Sequence, residues 1–277
     1  MKTPVIFLHI PKTAGTTLRS VLVSRYSRSS VYTIGNDINR DIESLRDLSE
    51  VEKQKILLLQ GHMTFGLHEY LAHGARYITV LRDPVERVLS EYRFLKTNQR
   101  HPFHSRVVKM SLSDFLTSEF NAQSRNGQTR LLSGSHRSDQ PGIPDDGEVS
   151  EGHLEIALQN LQSHFVVAGT QEKFEQTLLL CQRKLGWWFY PFYIPRNITA
   201  RSELSEVIED RKLIASQNQL DIKLYNAVQE RMSKEIVELQ PGFDQSLSNF
   251  RRHNPRYRFI YMRWLELRSR LFQRLIN

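Results

Sequence analysis

Four short apolar runs punctuate the chain: Val5–His9, Leu57–Gln60, Tyr77–Leu81 and Phe165–Ala168. Runs of four or five residues rich in Val, Ile, Leu and Phe, without polar alternation, predict strands buried on both faces. Helical spacing of apolar positions follows three of them. Leu18, Val21 and Leu22 come after the first, Val85, Val88, Leu89, Tyr92 and Leu95 after the third, and Phe174, Leu178 and Leu179 after the fourth. Strand followed by helix, repeated, predicts an α/β fold of three layers, with a mostly parallel central sheet flanked by helices. Glu203 to Leu239 reads as helix, with Leu220, Leu224, Val228 and Met232 spaced by fours. Residues 133–149 are rich in Ser, Gly, Pro and Asp and predict a long loop, a candidate lid. The pattern has no internal repeat. We expect one domain over 1–249 and a basic, aromatic helical tail over 250–277.

Composition narrows the picture. With 277 residues and 39% hydrophobic positions the chain can bury a sizeable core, which excludes a mostly disordered protein. A formal charge of +8 suits an anionic partner without choosing among nucleotide, acidic polymer, nucleic acid and membrane. Arginine and aromatic residues interleave in the tail, which invites two readings. Its stripe of Trp264, Leu267, Leu271 and Leu275 packs on the domain, or the tail makes peripheral contact with an anionic membrane or a polyanion. Cys181 is the only cysteine, so no intrachain disulfide can form. The early apolar run Val5–Leu8 is far too short for a membrane span or a secretory core, and the expected location is cytoplasmic.

The first strand runs into His9-Ile10-Pro11-Lys12-Thr13-Ala14-Gly15-Thr16-Thr17-Leu18. A strand feeding a tight loop and a helix N-terminus is a natural cradle for phosphate or sulfate. Lys12 adds a positive charge, Thr13, Thr16 and Thr17 add hydroxyls, and Gly15 gives a ligand room to approach. The nucleotide-triphosphatase loop reads G-x-x-x-x-G-K-[ST], and that order is absent here, which weakens an ATP- or GTP-hydrolysing reading. A second segment is Leu81-Arg82-Asp83-Pro84-Val85-Glu86-Arg87 through Ser90. It places Arg82 at a strand's carboxyl end, with Pro84 opening the next helix and Ser90 two turns in. Arginine and a hydroxyl can share a terminal phosphate. Taken alone, each segment also fits an ordinary turn or a surface ion pair.

Together the two segments resemble the PAPS-dependent sulfotransferases, in particular the branch of heparan sulfate and uronyl 2-O-sulfotransferases. That resemblance implies a P-loop-NTPase-like fold and 3′-phosphoadenosine 5′-phosphosulfate (PAPS) as co-substrate. It puts Lys12, Thr13, Ala14, Gly15, Thr16 and Thr17 around the 5′-phosphosulfate and Arg82 and Ser90 at the 3′-phosphate. Gln60-Gly61-His62 is similar to the family's His-Gly-His, with Gln60 in place of the first histidine. The implied base is therefore His62, and Lys12 is the second implied catalytic group. Gln128, Thr129 and Arg130 lie in a third similar segment and are expected near donor or acceptor.

The implied acceptor is a polysaccharide or oligosaccharide, with acidic glycans first. Nucleic acid is not expected as a partner, and no histidine spacing calls for a metal. Two rivals remain: a nucleotide kinase or NTPase of related fold, and a polyanion-binding module driven by the tail.

Overall fold

The computed structural model describes residues 3–71, 73–134, 142, 147–188, 190–195 and 208–276. Five strands form one all-parallel sheet: β1 (Val5–Leu8), β2 (Val31–Ile34), β3 (Leu58–Gly61), β4 (Arg76–Leu81) and β5 (Phe165–Thr170). Their spatial order is β2-β3-β1-β4-β5, so β1 lies at the centre, between β3 and β4. The expected α/β architecture is present. The four predicted strands recur within one or two residues at their ends, and β2 is an addition. This edge strand is only half-buried along most of its length, which leaves it without the continuous apolar run that marks the others.

Twelve helices surround the sheet among the described residues. In chain order α1 is Gly15–Val23, α2 Ile38–Arg46, α3 Glu50–Lys53, α4 Pro84–Thr97, α5 His104–Val107 and α6 Leu112–Thr117. Then come α7 (Gly127–Ser133), α8 (Glu151–Ser163), α9 (Phe174–Lys184), α10 (Ile208–Gln217), α11 (Gln219–Glu238) and α12 (Gly242–Ile276).

Successive strand residues point to opposite faces, so each strand feeds two cores. Val5 and Phe7 of β1 pack with Leu18 and Leu22 of α1, Leu178 of α9 and Phe243 and Phe250 of α12. Ile6 and Leu8 face the other way, toward Ile42 of α2, Leu132 of α7, Leu154 of α8 and Leu224 of α11. A third, smaller cluster joins α4 to α5, α6 and α10 through Leu89, Tyr92, Val107, Phe115 and Ile214.

Two expectations about helices are refined. The helical stretch expected over 203–239 is broken at Asn218 into α10 and α11, and 203–207 lie outside the described residues. Asn218 is buried and its Nδ2 donates to the Ile214 carbonyl (2.8 Å), taking an acceptor that the helix would otherwise use. α12 runs continuously through the expected division at 249/250, and Phe243, Phe250 and Asn254 on it are buried. The side chains of the stripe from Trp264 to Leu275 lie outside the described residues, as do 135–141 and 143–146 of the candidate lid.

Candidate active site

His62, Lys12 and Arg82 stand just beyond the carboxyl ends of β3, β1 and β4, three neighbouring strands. In open parallel sheets the crevice beyond these strand ends is where ligands bind. The central position of β1 puts its loop between the other two.

That loop, His9 to Ala14, holds two non-glycine residues in the left-handed region, Lys12 (φ 68°) and Ala14 (φ 63°). Such backbone is costly and concentrates at ligand clamps. Ala14 caps α1, and its methyl side chain offers the first-turn amides no hydrogen bond. The Thr17 amide donates to the Ala14 carbonyl (3.0 Å), and the N–H groups of Gly15 and Thr16, with the positive end of the helix dipole, are open to an anion. Thr13 is buried and donates its hydroxyl to the Ile10 carbonyl (2.9 Å), which braces the loop. Thr17 is buried and Thr16 half-buried in the first turn of α1. The room left by Gly15 is taken by His9: a Cβ there would sit 1.9 Å from the imidazole Cδ2.

Two cations meet above this loop. The Arg82 Nη1 donates to the Lys12 carbonyl (3.1 Å), which joins the two sequence segments at one point. The Lys12 ammonium lies 3.6 Å from the centre of the Phe94 ring on α4. Burial lowers the Lys12 pKa, with Glu91 opposing and Arg82 adding to the fall. Burial likewise lowers that of Arg82, against the nearby Glu86 and Glu172. Two partly buried positive charges side by side make a site that an anion would relieve. Glu91, one turn before Phe94, has its Oε2 buried without a hydrogen-bond partner. Ser90, beside it, is half-buried on α4.

The support behind Arg82 is formed by residues distant in the chain. The Gln128 side chain clamps its backbone from both sides, accepting from the Arg82 amide and donating to the Arg82 carbonyl, each at 2.9 Å. Gln128 is itself held by Asp221, which accepts from the amides of Gln128 (3.1 Å) and Thr129 (2.7 Å) and from the Thr129 hydroxyl (2.8 Å). Asp221 is fully buried and faces Arg87 at 3.8 Å. Gln128 and Thr129 thus face inward, toward Arg82 and Asp221. Arg130 turns away and donates to the Gly147 carbonyl at 2.5 Å. No local signal marks Asp221 in the sequence, because its partners lie more than ninety residues earlier.

His62 follows Gly61, whose φ of 149° and closeness to the Ile34 carbonyl leave no space for a side chain. Its Nδ1 is 2.8 Å from the His9 carbonyl oxygen. A carbonyl only accepts, so Nδ1 carries the proton and the neutral ring keeps its lone pair on Nε2. The ring stacks on that of His9 at 4.2 Å, and His9 stacks in turn on Phe7 at 5.3 Å. Although His62 is exposed, desolvation by the protein around it lowers its pKa below 6.5. The His9 carbonyl and Glu91 pull the other way, and Arg19 and Lys12 add to the fall. His9 itself is pushed down to about 3, first by burial and then by the charges of His62 and Arg19. Gln60, two residues before His62, is buried and donates to the Thr33 hydroxyl (2.9 Å). The imidazole beside His62 is that of His9, at the start of the loop after β1.

Among the described residues no group of three or more His, Cys, Asp or Glu side chains is placed to hold a metal ion. The model of the family described as Galactose-3-O-sulfotransferase matches residues 1–261. No curated protein sequence matches the chain. Among solved structures, that of mouse sulfotransferase SULT7A1 complexed with PAP is similar, at 14% identity and a TM-score of 0.39. The match covers 78% of this chain and 64% of that one.

Proposed function

The chain belongs to the galactose-3-O-sulfotransferase family, and on that premise we propose a PAPS-dependent carbohydrate sulfotransferase with His62 as its base. Sulfuryl transfer from PAPS supplies an SO3 group to the acceptor oxygen and releases adenosine 3′,5′-bisphosphate. The amides at the start of α1 and the Lys12 ammonium take the 5′-phosphosulfate end, and Arg82 with Ser90 takes the 3′-phosphate. His62 Nε2 accepts the proton of the attacking hydroxyl, and the Nδ1–H bond to the His9 carbonyl holds the ring in place as it charges. Lys12 neutralises charge that grows on the bridging oxygen as the sulfur–oxygen bond breaks. The step is balanced by these groups, so we propose no metal.

The observation that carries this reading is the Arg82–Lys12 contact, which brings the two donor segments together at the carboxyl edge of β1 and β4. The acceptor we propose is a glycan hydroxyl. The family match favours a galactose-containing sugar, and the likeness of the two loops to the uronyl branch makes acidic glycans the second group to screen.

Calorimetric titration with adenosine 3′,5′-bisphosphate, beside ATP and without magnesium, tests the donor site. Tight binding of the bisphosphate, weakened at least tenfold in Arg82→Ala, is expected. His62→Ala should bind it normally and lose turnover. Preference for ATP with magnesium would instead favour a kinase, and turnover retained by His62→Ala would remove it as the base.

A further inference from the structure

The positive charge is not spread over the molecule. The last 28 residues hold eight arginines and one glutamate, which is +7 of the formal +8. Residues 250–276 belong to α12, whose 35 residues make a rod of roughly 50 Å. Its first part is anchored by Phe243, Phe250 and Asn254. Beyond Pro255 one side still faces the domain, where Tyr257 stacks on Phe192 (5.3 Å) and Tyr261 on Tyr257 (6.1 Å). Between Pro255 and Arg263 the other side is in water. Phe259 and Ile260 are each 67% exposed, and Met262 49%. Arg252, Arg256 and Arg258 are exposed beside them.

We propose that this stretch of α12 is a docking face for a bilayer surface containing anionic lipid. The argument turns on the mixture. A soluble polyanion would engage the arginines and leave Phe259, Ile260 and Met262 in water. A second copy of the chain would cover the apolar residues but bring two strongly basic helices together. A headgroup layer takes both kinds of residue, with arginines at the phosphates and apolar side chains at the acyl boundary. The helix lies on the surface rather than through it, because no helix among the described residues is long and apolar enough to cross. The sequence beyond Arg263 continues the alternation, with Trp264, Leu267 and Leu271 among Arg268, Arg270 and Arg274. This inference is independent of the donor chemistry.

The test is sedimentation of the full chain with vesicles of phosphatidylcholine alone and with about 30% phosphatidylserine, at low and high salt. Binding to the anionic vesicles, weakened by salt, is expected. Phe259→Ser with Ile260→Ser, and separately Arg252→Glu with Arg256→Glu, should each lower partitioning at least tenfold. Both variants should keep wild-type affinity for adenosine 3′,5′-bisphosphate, which separates loss of docking from loss of folding. No pelleting with anionic vesicles overturns the proposal. So does a loss confined to the arginine variant, which would assign the face to soluble polyanions, or a wild-type dimer that the serine variant dissociates.

Discussion

Glu91 stands behind both groups assigned to the chemistry. Its charge raises the pKa of Lys12 and of His62, while burial lowers both. With the carboxylate present, the His62 pKa is already below 6.5, so the base is free at neutral pH. Glu91→Gln removes the opposing charge and keeps the shape. The His62 pKa then falls further, and the acid limb of kcat/KM against pH moves to lower pH. A pH–rate profile of the two proteins checks this. An acid limb that stays where it was would mean that His62 is not the group titrating there. The places of Lys12, Arg82 and His62 at neighbouring strand ends were legible because each lies within a recognisable segment. Glu91 was not, since its role arises only when α4 comes to face those segments, and the stack of His9 on His62 forms only once β1 and β3 lie side by side.

At the scale of elements, α7 and α11 cap each other. Asp221 of α11 accepts from the first amides of α7, and Asn126, just before α7, accepts from the amides of Leu220 (3.1 Å) and Asp221 (3.2 Å). Gln128 extends that joint to the Arg82 backbone. Asp221→Ala would leave Arg87, buried to 4% exposure, without its countercharge and two helix amides without an acceptor. Removing one partner of such a buried pair costs about 3–5 kcal/mol. The expected result is that loss in chemical denaturation, together with weaker binding of adenosine 3′,5′-bisphosphate. Asp221→Asn, which keeps an acceptor, should lose less. Stability within about 1 kcal/mol of wild type in Asp221→Ala would contradict the joint. Most of the sheet could be read from apolar runs, whereas this joint could not. It depends on polar residues far apart in the chain, and the helix break at Asn218 comes with that buried side chain's bond to the Ile214 carbonyl rather than with any loss of apolar period.

For the molecule as a whole, the feature with the widest reach is a neutral histidine locked beneath the site. His9 is 9% exposed, sandwiched between Phe7 and His62, with Gly15 making room for its ring. Its folded pKa of about 3 lies below the unfolded value of 6.5. Between those limits the unfolded chain binds a proton that the folded chain refuses, so stability is highest above pH 6.5 and falls as pH drops toward 3. Each pH unit costs about 1.4 kcal/mol, or roughly 2–3 kcal/mol by pH 4.5, a large part of a typical total of about 5–15 kcal/mol. Burial depresses His62 and His68 as well, and both act with the same sign. The contribution of His9 is therefore read as a difference. Urea midpoints of the wild type and His9→Gln at pH 7 and pH 4.5 should show the variant weaker at pH 7, because the stack is lost, yet less sensitive to acid. Parallel pH dependence in the two proteins would show that His9 takes up its proton without unfolding, and that the floor of the site yields at low pH without the rest of the fold.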